Sequence, residues 1–481
     1  MKKLLLLPAC IMLLTLVSCE HWWDKIDPRS EPRPHHQRIK LKDYSETPAF
    51  VKKLAGFEDV KVYSLISSAD HFEATPGFTF GGSADGSGLL RVKQGYAYVV
   101  NNEDNFSVAR IAFDKSFKPI GGEYILNSDG GIWRLCSATL VTPEEHGFGP
   151  LYLTCGESGP ESRTHGIDPF SQATSANVSR ELAGFGRWSA ENAVPLPKTA
   201  YYGKTVVIIG DDDSGSAGGQ IAMYLADAKG DLDHGSLYVM RTLDLNPREK
   251  DIVEGAPVSV EFAKIEDHTT LTGAQINAAS TALSSIAFGR VEDIDYRKGG
   301  SGREVYFNVT GQSGNADRTK YGRVYKLVLD HHDPLKGTLE VVLDGDNDSG
   351  KASEFQNPDN IMVTSHYAYI TEDPNGYGDE THDAYMYQYN LTTKELKKVF
   401  ELNHFREDPV LSAEYGSGSF GSWEFGSTID VSETVNESNV FLVCIQPHGW
   451  RKDAFKGVDG GSLRVNENQG SQVIAVKGLP R

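Results

Sequence analysis

The sequence predicts an all-β protein built as a six-bladed β-propeller with long inter-blade insertions. Three observations favour this fold: short β-branched runs recur along the chain, glycine-rich turns separate them, and helical periodicity is scarce. The chain contains 49 Gly, 21 Tyr and 21 Phe residues, which is typical of short strands joined by tight turns. No low-complexity tract interrupts the body, so we expect a single domain over residues 49–481.

The first 18 residues have the pattern of a signal peptide. Two lysines precede an apolar run at residues 4–17, which is too short for a normal membrane span. The run ends in Leu16-Val17-Ser18-Cys19, a pattern typical of a bacterial lipobox, which predicts that Cys19 is acylated; a chance cysteine after an ordinary signal is the alternative. Residues 19–48 are polar and Pro-rich, and predict a flexible, lipid-anchored tether. We therefore expect an exported protein in the bacterial cell envelope, periplasmic or at the surface, that meets the membrane only through this anchor.

The formal net charge of −19 limits the classes of partner. Nucleic acid is not expected, because binding it depends on Lys and Arg that neutralise phosphates. So acidic a chain is suited to multivalent cations, although a solvated acidic surface is the simpler explanation.

Cysteine is scarce in the exported part of the chain. Apart from Cys10 in the signal and Cys19, it has Cys136, Cys155 and Cys444. An odd number in an exported protein means that at least one thiol is unpaired or bound to something else. A Cys136–Cys155 disulfide remains open, and Cys444 lies in an apolar run typical of a buried core thiol.

Six short apolar runs each end in carboxylate or amide side chains, and we interpret each run as a strand. Placed side by side, their ends would gather oxygen ligands around one point, where a hard cation could bind. Asp211, Asp212, Glu372 and Asp373 end two of these strands and are calcium candidates, whereas His448 is interpreted as a solvated or packed side chain. The runs cover residues 95–103, 149–157, 204–213, 303–311, 365–373 and 439–449.

A second alternating run follows most of these strands. The second runs cover residues 107–114, 219–227, 322–330, 383–391 and 471–479, and the counterpart after residue 157 is less clear. Six such units suggest six blades. Their uneven spacing predicts insertions, above all between Asp227 and Arg303, where residues 270–285 have a helix-compatible pattern.

Several familiar enzyme sequence motifs are either incomplete or absent in this chain. Residues 416–421 spell a dinucleotide-like glycine pattern, but no βαβ unit surrounds it. Residues 344–355 approach a phosphate loop and a calcium loop, and lack the required hydroxyl and the bidentate Glu. The chain has neither a Gly-x-Ser-x-Gly elbow nor a His-Glu-x-x-His pair, which argues against a serine hydrolase or a zincin.

More specific segments stand just before the predicted strands. Glu292 and Asp293, and later Asp359, each precede a strand by a short turn at equivalent places in successive units. Turns favour Asp and Asn for structural reasons as well. Arg290 beside Glu292 and Asp293 is the less ordinary combination.

The specific segments are Cys136 with Leu153-Thr-Cys155-Gly-Glu157, Gly186-Arg-Trp-Ser-Ala-Glu191, Gly210-Asp211-Asp212, Arg290-Val-Glu292-Asp293-Ile294 and Asn357-Pro-Asp359-Asn360. Together these segments resemble the PhoX-type alkaline phosphatases, a family of metal-dependent six-bladed propellers. The similarity runs patchily from about Cys136 to residue 449. Gly156, Ala190 and Val291 depart from the family pattern, in which Glu, His and Pro occupy these places.

The resemblance implies two Fe³⁺ ions and several Ca²⁺ ions on the propeller axis. By motif match the metal ligands would be Cys136, Glu157, Glu191, Glu292 and Asp359, with Asp211 and Asp212 as further metal candidates. Arg290 would be the catalytic residue that binds the phosphoryl oxygens. The residue types suit these roles, because carboxylates hold both cations, a thiolate suits iron rather than calcium, and Arg presents a planar fork to phosphate.

The implied function is that of an alkaline phosphatase-like hydrolase of phosphomonoesters. Its partner would be a small-molecule phosphate ester, and we expect a monomer. A non-catalytic, calcium-binding propeller lipoprotein that binds glycans or proteins is the alternative. A calcium-dependent propeller lactonase or esterase is a third and weaker interpretation.

Overall fold

The computed structural model describes residues 38–481. The predicted signal peptide, Cys19 and most of the predicted tether lie outside the described residues. Ile39 packs in a hydrophobic core, and Ser45 and Thr47 are buried, so the packed part of the chain begins before the predicted boundary at residue 49. Within residues 38–481, none of the helices has the length and apolar character of a membrane span.

Strands dominate the described chain, with a few short helices. The strands are β1 (Val51–Lys53), β2 (Lys61–Ser67), β3 (Ala84–Val92), β4 (Gly95–Asn102), β5 (Ser107–Asp114), β6 (Pro119–Leu126), β7 (Leu135–Val141), β8 (Leu151–Gly156), β9 (Thr164–Ile167), β10 (Ala190–Pro195), β11 (Thr205–Asp211), β12 (Ile221–Ala226), β13 (Ser236–Thr242), β14 (Val258–Ile265), β15 (Val291–Tyr296), β16 (Glu304–Val309), β17 (Arg323–Leu329), β18 (Lys336–Asp344), β19 (Pro358–Val363), β20 (Tyr367–Glu372), β21 (Tyr385–Asn390), β22 (Leu396–Leu402), β23 (Glu424–Asp430), β24 (Val440–Gln446) and β25 (Gln472–Lys477). The α-helices are α1 (Ser128–Gly131), α2 (Gly273–Ala282), α3 (Pro409–Tyr415) and α4 (Ser432–Val435).

The strands pair antiparallel in sheets that follow chain order. Two sheets have the orders β3-β4-β5-β6 and β7-β8-β9, and a third has the order β1-β22-β21-β20-β19. The largest sheet, β10-β11-β12-β13-β14-β18-β17-β16-β15, forms because β14 joins β13 to β18. In the sheet β2-β25-β24-β23, the beginning and the end of the described chain pair with each other.

The innermost strands of these units contact one another in a ring. β3 contacts β7, β7 contacts β10, β10 contacts β15, β15 contacts β19, β19 contacts β23, and β23 contacts β3. The predicted all-β class with a propeller-like arrangement of sheets is therefore confirmed.

The six apolar runs are the second strands outward from this ring. They form β4, β8, β11, β16, β20 and β24, as predicted. Every residue of β4, β11 and β24 is buried, because neighbouring sheets cover both faces of these strands. The second runs form β5, β12, β17, β21 and β25, and the unclear counterpart is the four-residue β9.

The segment between Asp227 and Arg303 is not one long insertion. It contains β13, β14 and β15 as well as the predicted helix, α2. Thr272 and Gln275 form a capping box that starts α2, which accounts for the helical pattern of this segment. Ile276 on α2 is fully buried against β10–β14, so the helix packs on the sheets.

Candidate metal centre

Each innermost strand carries a β-bulge at the same position. The pairing registers shift between Ala84 and Ser87, Leu135 and Ala138, Ala190 and Ala193, Val291 and Ile294, Pro358 and Ile361, and Phe425 and Thr428. A bulge breaks the two-residue alternation of a strand and re-aims a side chain. The residue that directly follows the start of each shift is, in chain order, Asp85, Cys136, Glu191, Glu292, Asp359 or Gly426. All of these except Gly426 line one central cavity.

The segments that contain Glu292 and Asp359 precede β16 and β20 by a short turn, as predicted, but they are themselves strands. Cys136 lies in β7, Glu191 in β10, Glu292 in β15 and Asp359 in β19. The polar side chains and the bulge hide the alternation by which a strand is normally recognised in a sequence.

A second set of acidic residues follows the second strands of the units. Glu103 follows β4, Glu157 follows β8 and Asp373 follows β20, and all three line the same cavity. The cavity has a volume of about 380 Å³. The structure therefore brings the predicted residues Cys136, Glu157, Glu191, Glu292 and Asp359 to one place, together with Arg290.

Four groups of three donor atoms lie close enough together to hold a cation. Within each group all donor atoms are within 4.8 Å of one another. The groups are Asp85–Cys136–Glu191, Glu103–Cys136–Glu157, Glu191–Glu292–Asp359 and Asp373–Glu424–His448. Because the first two share Cys136, and the first and third share Glu191, three of the groups form one continuous chain of donors.

Burial and mutual repulsion oppose ionisation of these side chains. Burial raises the pKa of Glu191 to about 8. Burial and then Glu103 raise the pKa of the Cys136 thiol, and burial and then Asp212 raise the pKa of Glu292. Within residues 38–481, Oδ1 of the buried Asp85 has no hydrogen-bond partner. The residues therefore fit bound cations. The positive charge of a cation would take the place of the proton or the hydrogen-bond donor that each buried acidic side chain otherwise requires.

Arg290 is held firmly at the cavity wall. Its Nε and Nη2 donate to the two carboxylate oxygens of Asp212 at 2.7 and 3.0 Å, and Nη2 lies 3.2 Å from Oε1 of Glu292. Its Nη1 donates to Oδ1 of Asn375. Asp212 thus occupies the planar fork that the resemblance assigns to phosphate.

The backbone is strained just before two of the candidate ligands. Arg290, before β15, has φ +71°, and Asn357, before β19, has φ +67°. Residues other than glycine rarely adopt this left-handed backbone conformation, and such outliers concentrate at functional sites. The strain occurs where the chain must turn into the bulges that present Glu292 and Asp359.

Two predicted calcium candidates lie elsewhere. Asp211 and Glu372 are the last residues of β11 and β20; both are buried, and neither lines the cavity. Alternate residues of a strand face opposite sides, so Asp373 lines the cavity instead, whereas Asp212 does not line it and binds Arg290 at its wall. Glu372 accepts hydrogen bonds from N–H groups before β19 and in β21, which fits a structural role.

The three cysteines within residues 38–481 are buried and free. Cys136 donates to Oε2 of Glu157 at 3.0 Å, whereas Cys155 lies 3.2 Å from Oγ1 of Thr164 in the core. The Cys136–Cys155 disulfide is therefore not formed. Cys444 is a fully buried core thiol, as predicted.

Sequence reasoning missed four residues of the donor groups in the cavity. Asp85, Glu103, Glu424 and His448 line it, and none of them was assigned as a ligand. The sequence did contain a signal for Asp85 and Glu103. Glu103 is the acidic residue at the end of β4, and in the later units such a residue is accompanied by a candidate ligand on the preceding strand, which here is β3. His448 was interpreted as a solvated or packed side chain, and the structure places it at the cavity.

Polar residues of the bulges link the innermost strands to one another. Asn360 on β19 donates to Oγ of Ser137 on β7 at 2.9 Å, and Asn192 donates to Oδ1 of Asp293 at 2.6 Å. β7 and β19 are not neighbours in the ring, so the first bond crosses the axis. The N–H of Ser137 also donates to Oε1 of Glu191 at 3.0 Å, which fixes a candidate ligand.

Comparison with known proteins adds little to this geometry. No family model and none of the curated proteins matches the chain. Among solved structures, it is similar to the PQQ-bound aldose sugar dehydrogenase of Streptomyces coelicolor, with 8% identity, 87% of this chain and 98% of that chain covered, and a TM-score of 0.32. It is also similar to the β-propeller domain of the Trilobed protease of Pyrococcus furiosus, with 9% identity, coverage of 84% and 96%, and a TM-score of 0.28. These likenesses are too distant to bear on the activity.

Proposed function

We propose that the chain is a metal-dependent phosphomonoester hydrolase, similar to the PhoX-type alkaline phosphatases, with an iron–calcium cluster on a six-bladed propeller axis. The ring of contacts from β3 through β23 supports six blades, with β14 joining two of them into the nine-stranded sheet. As part of the same proposal, the protein is exported and anchored through Cys19. A Cys19→Ala variant should then fail to incorporate a radiolabelled fatty acid.

The observation that supports this function best is the composition of the central cavity. Hard carboxylate donors and one thiolate donor converge there from different sheets, and Arg290 lies at their edge. Carboxylates alone would suit calcium, whereas the sulfur of Cys136 favours a transition ion such as iron. When bound, such ions would stabilise negative charge on phosphoryl oxygens and activate a nucleophile at neutral pH.

The chain's own residues would position the substrate. Arg290 adds a positive charge to a mostly acidic wall, and Asp212 and Asn375 fix its orientation. Arg134 reaches the same cavity, where it lies 3.2 Å from Glu103 and 3.3 Å from Asp104. Arg451 lines the cavity as well, and three guanidinium groups at one cavity suit an anionic substrate.

Phosphatase activity can be measured directly with p-nitrophenyl phosphate. Protein loaded with iron and calcium should release p-nitrophenol, and a chelator should abolish this release. Cys136→Ala should lose at least about 100-fold in kcat/KM, because the thiolate holds a metal ion. Cys155→Ala serves as the control, since Cys155 faces the core and should retain activity. A fully loaded, folded protein that is inert would contradict the proposal.

The second candidate function is a calcium-binding propeller that binds glycans or proteins without catalysis. The hydrogen bonds between Arg290 and Asp212 favour this second function, because the guanidinium group that would bind phosphate is already occupied by a carboxylate. In this case calcium would bind and stabilise the fold, p-nitrophenyl phosphate would not be hydrolysed, and a glycan array would show calcium-dependent binding.

A further inference from the structure

The donor group Asp373–Glu424–His448 has no residue in common with the other three groups, which are linked through Cys136 and Glu191. Asp373 follows β20, Glu424 begins β23 and His448 follows β24, so the group spans two neighbouring sheets. Its three donor atoms lie within 4.8 Å of one another, and Nε2 of His448 is 3.4 Å from Oε2 of Glu424.

Gln469 fixes which nitrogen of His448 carries the proton. The amide nitrogen of Gln469 donates to Oγ of Ser83, and its Oε1 accepts a hydrogen bond from Nη2 of Arg451 at 2.9 Å. Arg has only donors, so the atom that faces Arg451 must be the oxygen. Nδ1 of His448 lies 3.0 Å from the same oxygen and must donate to it. In the neutral imidazole, the lone pair of Nε2 then points towards the carboxylates, as in a metal-binding histidine.

Glu424 adds an independent observation. Glu424 is only 7% exposed, and among residues 38–481 the polar partners of its carboxylate are Nε2 of His448 at 3.4 Å and the carboxyl group of Asp373. Its neighbours in the group are the carboxylate of Asp373 and the lone pair of His448. A buried acceptor surrounded by acceptors is costly unless a cation or a shared proton lies between them.

We propose that Asp373, Glu424 and His448 bind one divalent first-row transition ion such as Zn²⁺. Two carboxylates and an imidazole suit such an ion, whereas calcium takes oxygen ligands alone. The resemblance assigns none of these three residues as a ligand of the iron–calcium cluster. Because all three line the central cavity, the open coordination positions of the ion face the same space as the cluster.

Zinc binding by the full chain tests this proposal. Metal-free protein carrying Cys136→Ala, which removes the thiolate, is dialysed against Zn²⁺ in the presence of excess calcium. We expect it to bind one more equivalent of zinc than the double variant Cys136→Ala/His448→Ala. X-ray absorption at the zinc edge should show imidazole scattering only in the protein that retains His448. His366→Ala, which removes an exposed histidine, is the matched control and should not change the zinc count.

A positioning variant adds a second measurement. Gln469→Leu keeps the three donors but removes the acceptor that orients His448, so zinc affinity should fall by about 10- to 100-fold. Equal zinc content with and without His448 in folded proteins, or zinc scattering without imidazole, would overturn the proposal and leave a proton shared between Glu424 and Asp373. Neither measurement depends on phosphatase activity, so an inactive protein would leave this result intact.

Discussion

Glu191 connects the donor groups of the cavity at the scale of single residues. Its carboxylate accepts the N–H of Ser137 and belongs to two of the four groups. Because burial opposes its charge, a proton or a cation must accompany it in the folded protein. The pH dependence of stability can distinguish these two states.

The first prediction concerns metal-free protein between pH 5 and pH 8. The pKa of Glu191 is about 8 in the folded state, against an ordinary value of 4.5, so in this range the folded state holds a proton that the unfolded state has released. Its contribution to stability is therefore present at low pH and is lost as pH rises towards 8, by about 2–4 kcal/mol. In metal-free protein, Glu191→Gln should gain stability relative to the parent by this amount between pH 5 and pH 8, in urea unfolding. A parent that gains stability relative to the variant over this range would contradict the prediction.

The second prediction concerns Asp85, whose Oδ1 has no partner among the described residues. Burial and then Glu191 raise its pKa, so without metal its charge destabilises the fold. Asp85→Asn should raise the free energy of unfolding of metal-free protein by about 1 kcal/mol and weaken metal binding at least tenfold. Urea unfolding and metal titration give the two values. If the free energy of unfolding and the metal affinity both fall in this variant, Asp85 has a structural role instead.

At the scale of elements, the bulges explain both the success and the failure of sequence interpretation. The second strands, such as β11, are apolar on both faces and were identified from the sequence alone. The innermost strands were not, because β15 and β19 contain bulges and polar side chains and begin after residues with positive φ. Short motifs nevertheless selected side chains that the structure brings to one cavity, because a motif is defined by residue type and does not depend on strand periodicity. Asp85 and His448 were missed because no matching motif surrounds them.

The third prediction tests the close approach of two innermost strands. A Cβ on Gly86, in the bulge of β3, would lie 2.3 Å from the backbone nitrogen of Ala138 and 2.5 Å from the carbonyl carbon of Ser137. Gly86→Ala should therefore separate β3 from β7, lower the free energy of unfolding by about 2–4 kcal/mol and weaken metal binding beside Cys136. Thermal unfolding and metal titration measure these effects.

Gly77→Ala is the control for this change. A Cβ on Gly77 would meet no atom within 4 Å, and its backbone φ is not positive. Its effect should stay within about 0.5 kcal/mol. Equal effects of the two substitutions would show that steric contact between β3 and β7 is not the cause.

At the scale of the whole molecule, closure depends on pairing between β2 and β25. Gln472 in β25 supports this closure, because its Oε1 accepts the N–H of Phe50 and its Nε2 donates to the carbonyl of Pro48 and to Oγ of Ser64. One buried side chain thus ties the N-terminal segment to the last strand. Loss of the segment would expose β25 as a sheet edge.

The fourth prediction follows from this role of Gln472. Gln472→Ala leaves buried backbone groups without partners and should cost about 2–3 kcal/mol. Hydrogen exchange should become faster in residues 48–67 and in β25, while β11 and β12 stay protected. Gln388→Ala removes another buried glutamine, which donates to the hydroxyl of Tyr369, and its effect should stay within β20–β22. Faster exchange of the same residues in both variants would contradict the assigned role.

The central claim is that donors from separate sheets enclose a multinuclear metal centre on the axis. Anomalous X-ray diffraction at the iron edge, from crystals of protein made in an exporting host, tests it most directly. We predict an iron peak within bonding distance of Sγ of Cys136 and of a carboxylate of Glu157 or Glu191, and its loss in Cys136→Ala. A well-ordered cavity without an anomalous peak, or iron bound only outside the cavity, would contradict the claim.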